Sequence, residues 1–243
     1  MERQVFETSG GLAGNLTATI GGTDPQAPVV LIGAHYDSCE TTPGADDNAS
    51  GVAALIELAA RCAATPPRGP VRFVAFANEE APYFATPAMG SLRCANEARA
   101  RGDTIRLMLS LEMLGYYSDT RGAQRYPPLY GIGRPKQGNF IGVVGRMGSG
   151  KLLRRIAAAF RQGTPLPIET AQAPEWVEGV SLSDHWAFWQ AGYPAVMVTD
   201  TAFYRNPHYH TKLDTWDTLD YARMHQAVDG LYQVLVSFAG PHE

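Results

Sequence analysis

Apolar runs bounded by glycine and proline alternate with amphipathic stretches along this chain. Residues 5–8 and 16–20 read as short strands. Residues 27–34 (APVVLIGA) form a β-branched apolar run between Pro and Gly, the pattern of a strand buried on both faces. A helix comes next over 49–63, with Val52, Leu55, Ile56 and Leu58 on its apolar side and Pro66-Pro67 closing it. Residues 71–77 (VRFVAFA) make the next strand, ahead of a proline-rich loop to Pro87, a helix over about 88–101 and a strand over 105–111. A loop rich in Tyr, Pro, Gly and Arg covers 118–137. The pattern then predicts a strand over 139–145, an amphipathic helix over 151–160, a loop over 171–181 and a short helix over 184–190. A strand over 195–198, a long loop over 203–215 and a closing helix over 221–238 complete the chain.

Strand–helix–strand alternation of this kind predicts an α/β fold, a mostly parallel sheet with helices on both faces. No repeat, low-complexity tract or long linker divides the 243 residues, so one domain is expected. The formal net charge of −4, without a basic run, gives no electrostatic footprint for nucleic acid or an anionic membrane. No apolar stretch approaches the roughly 20 residues of a membrane span. The polar start Met1-Glu2-Arg3-Gln4 is not a signal peptide. The chain as it stands reads as cytoplasmic, or as an exported chain whose leader has been trimmed. Cys39, Cys62 and Cys94 are odd in number and lack a CxxC, so free or buried thiols are expected.

Acids and histidines gather where the predicted strands end. His35 and Asp37 follow the 27–34 strand, and an Asp beside a liganding His is placed to fix its tautomer. Asp46 and Asp47 lie in a tight loop opening a helix, Glu79 and Glu80 follow the 71–77 strand, and Glu112 follows the 105–111 strand. His210 stands in the late loop, with Asp214 four positions on. Singly, each has an ordinary explanation: an Asp that caps a helix, a solvated Glu pair, a satisfied His. Jointly they would crowd into one cleft at the carboxyl ends of a parallel sheet, where carboxylates repel unless a cation neutralises them.

In order along the chain, GAHYDS, PGADDNASGVA, FVAFANEE, LEMLGYY, SDHWAFWQAGYPAVMVTD and NPHYHTKLDT resemble the zinc exopeptidases of the bacterial leucyl aminopeptidase type. That superfamily also holds glutamate carboxypeptidases and glutaminyl cyclases. The resemblance spans nearly the whole chain. It implies a three-layer αβα sandwich around a mostly parallel mixed sheet, with residues 1–243 as one zinc peptidase catalytic domain. The family's usual helix before the first strand is missing.

Carried over residue by residue, the resemblance implies two zinc ions. His35 binds one and His210 the other, Asp47 bridges them, and Glu80 and Glu112 complete the ligands, Glu112 beside His35. Glu79 is the general base that activates a metal-bridging hydroxide for attack on a peptide. Many relatives carry Asp where Glu112 stands. Of His208 and His210, the family ligand is the one directly before Thr, which leaves His208 at the pocket rim and Asp214 behind His210. Tyr209 is a candidate oxyanion donor, with ordinary packing as the competing reading. Asp184 and His185 are expected behind the ligands or against the substrate, since Ser183-Asp184-His185 are too close in sequence to form a relay. Trp186, Phe188, Trp189, Phe203 and Tyr204 are candidates for an apolar specificity pocket, with core packing preferred for the two tryptophans.

Peptide hydrolysis from the N-terminus is the activity this implies. A carboxypeptidase or a glutaminyl cyclase-like acyltransferase on the same site is the alternative, the intact acidic loop favouring the two-metal peptidase. Glu175, Glu178 and Arg205 lie in loops where a substrate terminus could be held. A nucleotide-binding reading attaches to Gly145 through Lys151, which fits GxxxxGK between a strand and a helix. Leu152 then occupies the position where a Ser or Thr must hold magnesium, so that reading is set aside.

Overall fold

Two N-terminal strands, β1 (Glu2–Thr8) and β2 (Gly11–Ile20), pair antiparallel at one side of an eight-stranded sheet in the computed structural model, which describes residues 1–240. The chain continues through β3 (Val29–His35), α1 (Gly51–Ala64), β4 (Val71–Phe76), α2 (Gly90–Arg101) and β5 (Ile105–Glu112). It then forms β6 (Ile141–Arg146), α3 (Gly150–Gly163), β7 (Ile168–Ala173), α4 (His185–Gln190), β8 (Ala195–Thr199) and α5 (Tyr221–Phe238). The strand order is β1-β2-β4-β3-β5-β8-β6-β7. β3 runs parallel to β4 and β5, β5 to β8, and β6 to β7, whereas β2–β4 and β6–β8 are antiparallel.

Alternation along the central strands sorts side chains into two cores. Val30, Ile32 and Ala34 of β3 pack with buried residues of α1, α3 and α5, while Leu31 faces the other side with α2 and α4. The result is a three-layer αβα sandwich around a mixed sheet. Gly33 leaves room for the Phe76 ring of β4, which a Cβ there would overlap. Helix ends follow local chemistry: α2 stops at Gly102, left-handed at φ 74°, and the Asp220 carboxylate caps α5 by accepting the Arg223 N–H.

One strand lies where the apolar pattern predicts none. β7 (IETAQA) buries only Ile168 and Ala173, because an edge strand needs no second apolar face, and it turns the first part of the expected 171–181 loop into sheet. The segment from Gly145 to Lys151 is the end of β6, a turn over 147–149 and the start of α3. Among the described residues no helix is long and apolar enough to cross a membrane, and all three cysteines are free.

Sheet topology creates the crevice. α1 returns the chain to β4 on one side of β3, and α2 crosses the opposite face to β5 on its other side. The carboxyl ends of β3, β4 and β5 therefore open side by side, the place where open α/β sheets bind ligands. Buried Asn15 of β2 holds the edge of that crevice. It accepts from the Ala77 N–H (3.1 Å) and donates to the Gly90 carbonyl (2.8 Å), closing the segment that carries Glu79 and Glu80. Asn15→Ala leaves the buried Ala77 N–H without its acceptor and removes the bond to the Gly90 carbonyl, and is expected to cost about 1–3 kcal/mol in urea unfolding. A loss below about 0.5 kcal/mol would show that these bonds do not hold the segment.

Candidate metal centre

β3 ends on His35, β5 ends on Glu112, and Glu79 and Glu80 follow β4. Asp47 comes from a wound turn over 45–50 whose helical geometry breaks at Asp47 and Asn48, and His210 comes from the loop before α5. His35 is fully buried, and Asp47, Glu79, Glu80 and Glu112 are each less than a tenth exposed.

His35 Nδ1 donates to the backbone carbonyl of Asp37 (3.0 Å), which turns the Nε2 lone pair inward. Around Nε2 lie Asp47 Oδ1 at 3.4 Å, Glu112 Oε2 at 3.5 Å and Glu79 Oε2 at 4.0 Å. His210 Nε2 lies 3.1 Å from Asp47 Oδ2 and 3.4 Å from Glu80 Oε1. The two oxygens of Asp47 thus face two different imidazoles. Donors bound at about 2.0–2.2 Å to one tetrahedral zinc ion stand roughly 3.3–3.6 Å apart, close to these separations. His35 Nε2, Asp47 Oδ1 and Glu80 Oε1 are buried without a hydrogen-bond partner, an expensive state unless a cation receives them. The donor set fits zinc.

Two further carboxylates aim the donors by gripping backbone. Asp37 is expected to meet the His35 ring with its carboxylate, but that role falls to its carbonyl. Its carboxylate instead accepts the N–H groups of Glu79 (3.1 Å) and Glu80 (3.0 Å), with Oδ1 still 3.6 Å from His35 Nδ1. Asp214, expected behind His210, accepts the N–H groups of Asp46 (2.9 Å) and Asp47 (3.1 Å). Asp46 is no helix cap: its carboxylate accepts the Gly115 N–H (2.8 Å) and the Asn206 amide (2.7 Å). Asn48 ties the same turn to the end of β5, donating to the Leu111 carbonyl (2.8 Å) and accepting the Met113 N–H (3.1 Å). Ser183 donates to Glu112 Oε2 at 2.7 Å and so steadies the longer side chain. Asn206 and Ser183 escape sequence reasoning because their bonds join segments far apart in the chain.

The electrostatics describe a cluster that attracts positive charge. Burial alone would lower the His35 pKa, but Glu112, Glu79, Asp37 and Asp47 outweigh it and raise the ring well above the usual histidine range. Hydrogen bonds to Asp47 and Glu80 raise His210 to about 10. Asp47 is buried, yet its bonds from His210 and His35 pull it down to about 2. Burial pushes Glu79 well above the usual carboxylate range, with repulsion from Glu112 adding to it. The attraction that holds protons on these rings is the attraction that would bind a cation in their place.

The other predicted site residues divide. Asp184 and His185 are fully buried, and Asp184 lies close enough behind the cluster to feel the charges of His35, Glu112 and Asp37. His185 Nε2 donates to the Val180 carbonyl (2.8 Å), its ring packs edge-on against Trp189, and burial lowers it to about 4. Burial raises Asp184 to about 7. His208 packs edge-on against Tyr116, outside the pocket. Phe188 and Trp189 belong to the core, and Trp186 packs on Phe84. Arg205 is buried, bonded to Gln124 and the Tyr116 carbonyl and stacked on Phe140. Phe203, Tyr204 and Tyr209, in contrast, line a cavity of about 120 Å³ that reaches Glu112. Its other walls include Tyr126, Val180 and Met197, from loops and a strand that carry no local signature of a pocket.

The profile of peptidase family M28 matches residues 15–235. The chain belongs to peptidase family M28. A protein of Escherichia coli K12 described as uncharacterized, YfbL, is 42% identical over 236 residues, 93% of this chain and 72% of that one. A probable leucine aminopeptidase of Arthroderma otae is 25% identical over 224 residues, 86% of this chain. The chain spans only 53% of that relative's length. In fold, the M28 sandwich matches the Legionella pneumophila aminopeptidase LapA with a TM-score of 0.78 at 22% identity, over all of this chain and 59% of that one.

One measurement probes this centre of the M28 chain and a second the core beside it. Asp214→Ala frees the turn that carries Asp47, and zinc affinity is expected to fall about 10–100-fold in chelator competition. Unchanged affinity would remove Asp214 from the site. His185, buried and neutral, refuses a proton that the unfolded chain binds below its ordinary pKa of 6.5. Stability therefore falls as pH drops from 6.5 to about 4, by about 3 kcal/mol from this group. In His185→Gln the difference in unfolding free energy between those two pH values should shrink by that amount. An unchanged difference would show that the ring titrates normally.

Proposed function

We propose that the chain, as one catalytic domain over residues 1–243, is a zinc metallo-exopeptidase that removes N-terminal residues from peptides at a two-ion site. The observation that carries this reading is the split of Asp47, one oxygen toward His35 and Glu112 and the other toward His210 and Glu80. On this reading His35 and Glu112 would hold one ion, His210 and Glu80 the other, and Asp47 would serve both. Zinc held there lowers the pKa of water and polarises a scissile carbonyl.

The chain's own groups do the rest. Glu79 sits beside the donors at 4.0 Å from His35 Nε2, and its raised pKa suits a base that must hold a proton between two steps. It takes the proton of the attacking water and returns it to the departing amine. Tyr209 stacks on His210 with ring centroids 3.8 Å apart, and its hydroxyl is kept protonated by burial and the surrounding carboxylates. It can therefore donate to an oxyanion formed at the pocket mouth.

The cavity supports cleavage after one large apolar residue. Its volume of about 120 Å³ is comparable to the roughly 150 Å³ cavity that accepts benzene, so a Leu or Phe side chain fills it. Of the arginines on its wall, Arg134 is paired with Glu169 and the Thr170 carbonyl, and Arg125 gives one N–H to the Phe203 carbonyl. With Arg205 buried as well, a substrate carboxylate meets the single exposed Arg125 rather than a cluster of guanidiniums, which favours an aminopeptidase over a carboxypeptidase.

The test is zinc analysis with a panel of aminoacyl and N-acetylated peptide substrates, with and without chelator. Leu and Phe substrates with free amino termini should be cleaved and chelator should abolish turnover. Equal cleavage of N-acetylated substrates, or indifference to chelator, would sink the proposal. Glu79→Gln should keep its zinc and its fold while losing at least about 10²-fold in kcat.

A further inference from the structure

The loop between His35 and the acidic turn carries a thiol to the same cleft. Cys39 Sγ, a Glu80 carboxylate oxygen and a His210 ring nitrogen all lie within 4.8 Å of one another. Glu80 Oε1 is buried without a hydrogen-bond partner, so the carboxylate that shares this corner with the thiol keeps a lone pair free for a cation. The thiol is held in place. The Cys39 carbonyl accepts from the Thr42 N–H (3.1 Å) and the Thr42 hydroxyl (2.8 Å), closing a tight turn with Thr41 left-handed at φ 71°. Gly44 lets the loop fold back on itself. It sits at φ 69°, and a Cβ there would lie 2.8 Å from both the Asp47 carbonyl and Ser38 Cβ.

The other two cysteines have no such setting. Cys62 is sealed in the core under α1, and Cys94 in the core under α2. Cys39 is half-buried, beside the Glu80 and His210 donors.

We propose that the Cys39 thiolate is an additional ligand to the ion held by His210 and Glu80. The inference rests on the two-ion reading above. It makes the two positions chemically unequal. The His35 position offers one nitrogen and carboxylate oxygens, whereas the His210 position gains a sulfur. Zinc bound there would take a thiolate at about 2.3 Å, alongside the His210 and Glu80 atoms that already lie within 4.8 Å of the sulfur. Sulfur also biases the His210 position toward zinc or cadmium and against magnesium or manganese.

The experiment loads the purified protein with cobalt(II) and records its absorption, with wild type and Cys39→Ser side by side and metal content measured in both. A near-ultraviolet sulfur-to-cobalt charge-transfer band is expected in wild type and absent in Cys39→Ser, while the visible ligand-field bands persist in both. The second ion should leave Cys39→Ser at least about tenfold more readily in chelator competition. A second measurement needs no variant: iodoacetamide followed by mass spectrometry should label Cys39 in apoprotein and spare it in the zinc-loaded protein, Cys62 and Cys94 staying unlabelled in both. If both proteins bind two ions with identical spectra, the sulfur ligand is overturned and the two-ion site stands. Equal labelling of Cys39 with and without zinc also overturns it. If neither protein binds metal, both proposals fall.

Discussion

Everything at the edge of this sheet answers to one constraint: carboxylates buried together must be neutralised. Asp47, Glu79, Glu80 and Glu112 converge on two imidazoles, all but His210 almost wholly out of water. Desolvating that many like charges would cost far more than any contact between them returns, so the arrangement persists only with cations, or with protons on the rings and on Glu79. The shifts at His35, His210 and Glu79 are the protein's own compensation, and binding a divalent cation exchanges it for a stronger one.

Geometry is enforced by two carboxylates that stand outside the cluster. Asp37 holds two consecutive backbone N–H groups of the Glu79-Glu80 segment, and Asp214 holds two of the Asp46-Asp47 segment. Each comes shortly after one of the two histidines in sequence, yet Asp37 also fixes Glu80, which faces the other histidine, and Asp214 fixes Asp47, which faces both. The halves of the centre are thereby cross-linked, and a shift of one loop moves donors of both. Backbone conformation carries part of the strain. Asn78, Met113 and His210, which precede Glu79, follow Glu112 and carry a donor, are all left-handed without being glycine. Such residues cost on the order of 1–3 kcal/mol each and persist where surrounding bonds over-determine them.

How far the sequence could be read depended on what kind of burial each residue has. β3, β4, β5 and β8 are buried on both faces and announce themselves as apolar runs, so the sheet's centre was legible. β7 buries two side chains and was not. The acids and His35 were legible as a group because parallel strands put their carboxyl ends side by side. What each polar residue bonds to was not legible. Asp214 grips a turn 168 residues earlier in the chain, and Arg205, drawn inward over Phe140, looks in sequence like any loop arginine. Asp184 and His185 follow the same rule, their burial being decided by how α4 docks on α2 and β5.

The division of labour between sheet and loops explains why the chemistry is easier to read than the specificity. The donors sit within a few residues of strand ends or in one short turn, where backbone pairing leaves little freedom; only His210 comes from a longer loop. The cavity wall is assembled instead from the far strands β6, β7 and β8, the 118–137 loop, the segment after β7 and the turn at Phe203 and Tyr204. Those segments are joined by a few bonds, such as the Arg125 N–H to the Tyr204 carbonyl (2.8 Å) and the Tyr204 hydroxyl to the Glu178 carbonyl (3.3 Å). A substitution in any one of them can reshape the cavity without disturbing His35, Asp47 or Glu112. Loops of this kind are where a fixed catalytic edge acquires different substrate preferences, and Glu112, which belongs to both the centre and the cavity wall, is the point where the two meet.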